Sequence, residues 1–182
     1  MPSDPLGWER DKRTLRDWFH AGVRAPEEPS LCAYCDGLLG TQSPLTIDHF
    51  LPISAFPLAA LDWHNLFPAC VECNSTHKRA RYHREALRPD RDPVEQWVEF
   101  DAEDGRLRPD PRLDERTRAR IRLSFMLFGL NRPRLRLARR RRWAELRKHA
   151  DADDLQLDRR EGPYRFIADL VAIVIVSETL ST

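Results

Sequence analysis

A chain of 182 residues has room for one compact domain with further elements around it, because domains commonly hold about 100 to 200 residues. Apolar residues make up 41% and charged residues 32% of the sequence, which is typical of a soluble globular protein and argues against disorder over most of the chain. The formal net charge of +1 gives no reason by itself to expect an anionic partner.

A membrane location is not expected. The most apolar stretch, Leu170 to Val176, is far shorter than the roughly 20 residues that a spanning helix needs. The N-terminus also lacks the apolar core of a signal peptide. We therefore expect a cytoplasmic protein without a membrane partner.

Residues 1–30 are expected to form a short amphipathic helix and a linker. Large apolar residues recur between Pro5 and Phe19, and Pro26 and Pro29 mark the loop that follows. The cysteines begin directly after this loop.

All four cysteines fall into two CxxC pairs, Cys32 with Cys35 and Cys70 with Cys73. Two intervening residues let both thiolates of a tight turn face one cation, and four thiolates complete the closed tetrahedral shell of structural zinc. Disulfides are the alternative, which a reducing cytosol disfavours. Because a four-thiolate shell has no open position, we expect a structural Zn²⁺, and any catalysis needs other residues.

The segment between the cysteine pairs must itself be folded, since 34 residues separate Cys35 from Cys70 where about 15 to 20 are usual in a zinc ribbon. Leu45 to His49 and Leu66 to Ala69 are its apolar strand candidates, and a prolyl loop lies between them. We expect residues 31–88 to form one core.

Polar residues stand at three points of this core in a fixed order. Asp48 and His49 end the first strand candidate, Asn65 precedes the second, and Asn74 directly follows the second CxxC. Together with the CxYC of the first pair, this ordered set resembles the HNH endonucleases, which are ββα-metal nucleases.

The resemblance covers Cys32 to about Arg84. A weaker similarity to small bacterial HNH proteins extends to the stretch from Gly129 to Pro133. The implied fold is α+β, with a zinc-bound ββα-metal core, an N-terminal helix and a C-terminal helical region.

The resemblance also implies a role for each polar residue. Asp48 and Asn74 would bind a catalytic metal, and two oxygen ligands suit Mg²⁺ or Mn²⁺. His49 would activate water as the general base, because an imidazole with a pKa of about 6.5 is neutral at pH 7. Asn65 would fix the loop beside the base through hydrogen bonds to the backbone. His77 is a further candidate ligand of the catalytic metal.

Basic residues follow Asn74 at helical spacing. If Asn74 opens a helix, Lys78 and Arg81 lie at four and seven residues on its face, where we expect them to contact flanking phosphate. A solvated helix surface is the alternative for these side chains. His64 is expected at the surface or in contact with phosphate rather than on a metal, and Tyr34 is expected in the core rather than stacked on a base.

Beyond this core we expect a hairpin within residues 89–110 and helices within residues 111–182. Trp97 to Phe100 and Arg106 to Arg108 flank a turn-rich segment. One helix should stop at Gly129. A second should run from Pro133 to about His149, and a third from Pro163 to Leu180.

Charge is segregated along this region. The basic block, defined as Arg112 to Lys148, holds fourteen Arg or Lys and three acidic residues, and both of its flanks are acidic. Such segregation predicts a nucleic-acid face, and its strongest candidates are Arg139, Arg140, Arg141 and Arg142. A helix surface that pairs with acidic neighbours is the alternative.

The expected activity is metal-dependent hydrolysis of phosphodiester bonds in DNA, with double-stranded DNA as the substrate. The alternative is a non-catalytic zinc-knuckle module that binds nucleic acid or docks a partner. Small HNH chains often serve as the cutting subunit of a restriction or phage-defence system with an ATPase partner. The chain has no GxxxxGK[ST] motif, so ATP use would fall to that partner.

Overall fold

The structure, a computed structural model, describes residues 31–149, 155–157 and 162–179. The expected N-terminal helix lies within residues 1–30, outside the described residues. The described elements combine helices with small antiparallel sheets, so the predicted α+β class is confirmed.

The first sheet consists of β1 (Leu45–His49) and β2 (Leu66–Cys70), which pair antiparallel. Both predicted strands are confirmed, and β2 is one residue longer than predicted. In the register Asp48 lies opposite Phe67. The sheet thereby brings the Asp48-His49 end of β1 next to the start of β2.

A seven-residue π-helix, Glu72–Lys78, follows β2 directly. It begins before Asn74 rather than at it, and it ends at Lys78 because Arg79 takes a left-handed φ of 54°. Arg81 lies beyond its end, where its guanidinium donates to the carbonyl oxygens of His77 and Lys78. The expected helix face shared by Lys78 and Arg81 is therefore wrong, and Arg81 caps the open carbonyl end of the helix.

The predicted hairpin is confirmed as β3 (Val98–Phe100) paired with β4 (Leu107–Pro109). Its turn packs closely on the helical region. Gly105 has a φ of 73°, and a Cβ at this position would overlap the carbonyl oxygen of Arg136, so the turn requires glycine.

Three longer helices follow: α1 (Glu115–Phe128), α2 (Pro133–His149) and α3 (Arg165–Thr179). The predicted stop of α1 is confirmed at Gly129, which has a left-handed φ of 63°. The predicted second helix is also confirmed, and the third begins two residues later than Pro163.

The helices pack directly on the first cysteine pair. The ring of Phe128 stacks on that of Tyr34, with centroids 4.0 Å apart. The Asp36 carboxylate accepts hydrogen bonds from the backbone and guanidinium of Arg165. Among the described helices, none combines the length and apolar character needed to cross a membrane.

Candidate active site and metal centre

The two CxxC pairs meet in one buried cluster, the four-cysteine cluster. Its sulfur atoms all lie within 4.8 Å of one another, and all four thiols are free. A tetrahedral zinc with Zn–S bonds of about 2.3 Å separates its sulfur atoms by about 3.8 Å. The Sγ atoms of Cys35 and Cys70 are 3.9 Å apart, which fits such a shell and is far beyond a disulfide of about 2.05 Å.

The charge of the cluster depends on whether a cation is bound. Burial raises the pKa of the Cys32 thiol well above its usual range. Four buried thiolates repel one another unless a positive charge lies between them. The cluster can therefore bind zinc, as its spacing predicted.

Asp48 lies beneath the π-helix with only 3% of its surface exposed. The hydroxyl of Tyr34 donates to its Oδ2, and the Nζ of Lys78 donates to its Oδ1 at 3.0 Å. Burial and the Asp48 charge together raise the pKa of Tyr34, so this hydroxyl keeps its proton. Both carboxylate oxygens are thus engaged by the protein itself.

Lys78 is only 1% exposed, and its Nζ also donates to the carbonyl oxygen of His49 at 2.6 Å. The predicted contact between Lys78 and flanking phosphate is therefore wrong for this arrangement. The spacing of Lys78 from Asn74 indicates a surface position only for a regular α-helix, whereas this segment is a π-helix.

Asn74 lies in the π-helix beside β1. Its Nδ2 donates to the Oγ1 of Thr46 at 3.0 Å and to the carbonyl of Ile47 at 3.4 Å. This orientation reserves the amide oxygen as a possible ligand atom. Carboxylate and amide oxygens are the hard donors that Mg²⁺ or Mn²⁺ prefers, and the Oδ1 of Asp48 is engaged here by the Lys78 ammonium.

His49 ends β1, and its Nε2 lies 2.9 Å from the carbonyl oxygen of Ala60. Because a carbonyl only accepts, Nε2 carries the proton and Nδ1 is the basic nitrogen. Asn65, 1% exposed, holds the loop that contains Ala60. Its side chain bonds both backbone groups of Leu51 and the carbonyl of Ala59, at 2.7 to 3.0 Å.

His77 does not join this group. Its ring packs on the backbone of Gly129, where a Cβ would overlap it. Among the described residues, the groups of three or more His, Cys, Asp or Glu that could hold a metal are limited to the four-cysteine cluster. His77 as a further ligand of the catalytic metal stays a prediction. His64 is exposed, as expected.

The basic block is divided between several environments. Arg139 is 1% exposed and donates to the carbonyl of Leu130 at 2.7 Å, so its predicted phosphate contact is wrong. Arg142 pairs with Glu145 at 3.1 Å. Arg140 and Arg141 are exposed. Other arginines of the block pair with acidic residues, namely Arg116 with Glu85, Arg120 with Asp92, Arg122 with Glu115 and Arg136 with Asp104.

Two arginines approach the four-cysteine cluster, which the sequence did not predict. Burial acts to lower the pKa of Arg132, but negative charge at Cys73 and Cys35 outweighs it and raises that pKa. Burial lowers the pKa of Arg139 to about 10. A repeat of inward positions along α2, from Leu135 to Leu146, is the sequence signal that would have revealed Arg139.

Comparison with known proteins finds a family model that covers this site. Residues 32–80 match the model of the family described as HNH endonuclease. The chain therefore carries an HNH endonuclease domain that contains both the four-cysteine cluster and the Asp48 site. It is also similar to the Septu protein PtuB of Bacillus thuringiensis, with 39% identity over 44 residues. These residues are 24% of this chain and 17% of PtuB.

Proposed function

We propose that this protein is an HNH endonuclease that hydrolyses phosphodiester bonds in double-stranded DNA. His49 is the general base, and Asp48 and Asn74 hold one Mg²⁺ or Mn²⁺. The observation that carries the proposal is the orientation of the His49 imidazole. His49 lies at the end of β1 within the HNH domain, and its Nε2 is hydrogen-bonded to the carbonyl oxygen of Ala60.

His49 supports the water-activating step. With Nε2 donating to the carbonyl oxygen of Ala60, Nδ1 is the basic nitrogen and would take the proton from water. Asn65 keeps this orientation by fixing the backbone at Leu51 and Ala59. A positioned base contributes about 10²- to 10⁴-fold to a reaction of this kind.

A divalent metal at Asp48 and Asn74 would relieve negative charge on the phosphate and on the leaving oxygen. In the arrangement described, the Lys78 ammonium already neutralises Asp48. We propose that Lys78 and the metal compete for the same carboxylate. Asp48 would then hold the metal only with the Lys78 side chain turned away from Oδ1.

DNA would be held by the exposed part of the basic block. Arg140 and Arg141 lie on α2 with exposed side chains, whereas many of their neighbours are committed to carboxylates. Phosphate contacts from such side chains position a duplex without reading its sequence.

The biological setting we propose is a restriction or phage-defence system in which this chain is the cutting subunit. The similarity to the Septu protein PtuB supports this setting. ATP hydrolysis would take place in an ATPase partner. The exposed surface of the helical region 111–182 would be the docking site for that partner. We also propose the boundaries 1–30, 31–88, 89–110 and 111–182 as the units of the chain.

The proposal is tested by incubating the purified protein with supercoiled plasmid and Mg²⁺, Mn²⁺ or EDTA. We expect nicking or linearisation with the divalent metals and none with EDTA. His49→Ala should remove cleavage while zinc content and fold stay intact, since His49 is not part of the four-cysteine cluster. His64→Ala, which changes an exposed imidazole, is the matched control.

Cleavage by His49→Ala at the wild-type rate refutes the assignment of the base. A second candidate function is binding without cleavage, which the ion pair between Lys78 and Asp48 favours. Retarded migration of plasmid fragments with no cleavage under any metal would establish that alternative.

A further inference from the structure

One guanidinium group from the helical region, that of Arg132, contacts the four-cysteine cluster, and a second, that of Arg139, lines the same cavity as Cys32 and Cys35. Arg132, in the turn before α2, donates through Nη1 to the Sγ of Cys73 at 3.4 Å and through Nη2 toward the Sγ of Cys70 at 3.9 Å. Arg139 lies two turns further along α2, with 1% of its surface exposed. Both therefore bring positive charge to the buried side of the HNH core.

Arg139 is a buried charge without an acidic partner among the described residues. Its Nη1 donates to the carbonyl of Leu130, but its Nε has no hydrogen-bond partner there. Neither Arg132 nor Arg139 is among the arginines that form ion pairs with carboxylates in the described part of the chain. A buried charge is destabilising unless an opposite charge lies nearby.

The four-cysteine cluster with zinc bound supplies that opposite charge. Four thiolates around one Zn²⁺ leave a net charge of −2, and Arg132 and Arg139 bring two positive charges. The charges of the two guanidinium groups and of the zinc-bound cluster therefore balance.

The residues on either side of Arg132 fix its position beside the four-cysteine cluster. Gly129 ends α1 in a left-handed conformation, and its carbonyl oxygen accepts from Nη1 of Arg132 at 3.0 Å. Asn131 bonds both backbone groups of Leu107 at 2.9 Å, which fixes the turn to the hairpin. Pro133 then opens α2. The stretch from Gly129 to Pro133 therefore orients a guanidinium toward the cluster.

We infer that Arg132 and Arg139 are the counter-charges of the zinc centre and that they couple zinc retention in the HNH core to the packing of α2. This inference depends on zinc in the four-cysteine cluster and is independent of nuclease activity. Part of the basic block thus serves the metal centre rather than DNA.

The test measures the rate at which zinc passes from the purified protein to a coloured chelator, with zinc content determined first by elemental analysis. We expect Arg132→Gln and Arg139→Met to release zinc at least about tenfold faster than the wild type, since N–H donors and positive charge stabilise thiolates. Arg140→Gln and Arg134→Gln change exposed arginines of the same helix and should release zinc at the wild-type rate.

A charge-conserving variant separates charge from packing. Arg139→Lys should retain zinc better than Arg139→Met, although both variants lose packing contacts of the guanidinium. Alkylation by iodoacetamide of the thiols in the zinc-loaded protein should accordingly be slower in Arg139→Lys than in Arg139→Met. If the Arg139 variants do not fold, zinc release is compared between Arg132→Gln and Arg132→Lys instead, because Arg132 is only partly buried and its substitution disturbs the core less.

Equal zinc release by Arg132→Gln, Arg139→Met and the wild type would overturn the inference, as would equal acceleration by Arg140→Gln. A wild-type protein that binds no zinc would overturn the metal assignment itself. Both results are distinct from a loss of DNA cleavage.

Discussion

The Nζ of Lys78 lies 3.0 Å from Oδ1 of Asp48, and the two side chains are 1% and 3% exposed. The pair joins the π-helix to β1 at the carboxylate proposed to bind the catalytic metal. Breaking one partner of a buried ion pair commonly costs about 3 to 5 kcal/mol, because the other charge is left uncompensated. Loss of Lys78 alone should therefore destabilise the fold, and in the proposed site it would free the carboxylate for the metal.

Replacing Lys78 by Met tests this competition. In the absence of a divalent metal we expect a lower melting temperature, because Asp48 loses its cation. Mn²⁺ should then restore stability, so the rise in melting temperature on adding Mn²⁺ should be larger for Lys78→Met than for the wild type. Differential scanning calorimetry with and without Mn²⁺ measures both effects.

Arg79→Met is the control for this prediction, since it removes an exposed cation one residue away. If Mn²⁺ raises the melting temperature of Lys78→Met by the same amount as that of the wild type or by less, Lys78 does not compete with the metal for Asp48.

Much of the core could be predicted from local sequence signals. The apolar stretch at Leu45–His49, the paired cysteines and the glycine that stops α1 are each local signals of a few residues, and the structure contains the strand, the cluster and the helix end where they were predicted. The burial of Lys78 could not be predicted this way. It depends on the π-helical turn, which rotates Lys78 away from the position that an α-helix would give it.

The Arg139 to Arg142 run shows a second limit. Successive residues of a helix point about 100° apart, so four consecutive arginines must face several environments. Leu135 and Leu146 are buried on the stripe that also contains Arg139 and Arg142. Composition identified the run as basic, but only the positions of the neighbouring leucines indicate which arginine turns inward.

Asn74→Ala should weaken the catalytic metal without unfolding the core. The variant loses the amide oxygen proposed as a ligand, so we expect a higher Mn²⁺ concentration at half-maximal cleavage and partial recovery in excess Mn²⁺. Thr46→Val is the matched control, because it removes the hydrogen bond from Asn74 Nδ2 and keeps the amide oxygen. If both variants respond alike to Mn²⁺, Asn74 acts only through that hydrogen bond.

The zinc centre should hold one Zn²⁺ per chain and should lose it as the pH falls. Burial raises the pKa of the Cys32 thiol, so the metal-free thiol keeps its proton at neutral pH and zinc must displace that proton. Zinc affinity therefore decreases toward acidic pH. Competition for zinc between the protein and a chelator, measured from about pH 5 to about pH 8, follows this trend.

Cys70→Ser complements that titration. Because structural zinc contributes roughly 10 kcal/mol or more of apparent binding free energy to a small module, loss of one thiolate should greatly reduce zinc content and stability. A Cys70→Ser protein that stays folded with full zinc occupancy would contradict a four-thiolate site.

The last prediction concerns the exposed part of the basic block. Each phosphate that the protein neutralises adds about 0.9 to the slope of log affinity against log salt concentration. Arg140→Gln with Arg141→Gln should therefore flatten that slope and weaken binding to all DNA sequences about equally, as measured by fluorescence anisotropy. Arg116→Gln with Arg122→Gln, which removes the same charge from ion-paired positions, should change the slope less. An unchanged slope in the Arg140 and Arg141 variant, together with lost association with an ATPase partner, would make this surface a protein-docking site instead.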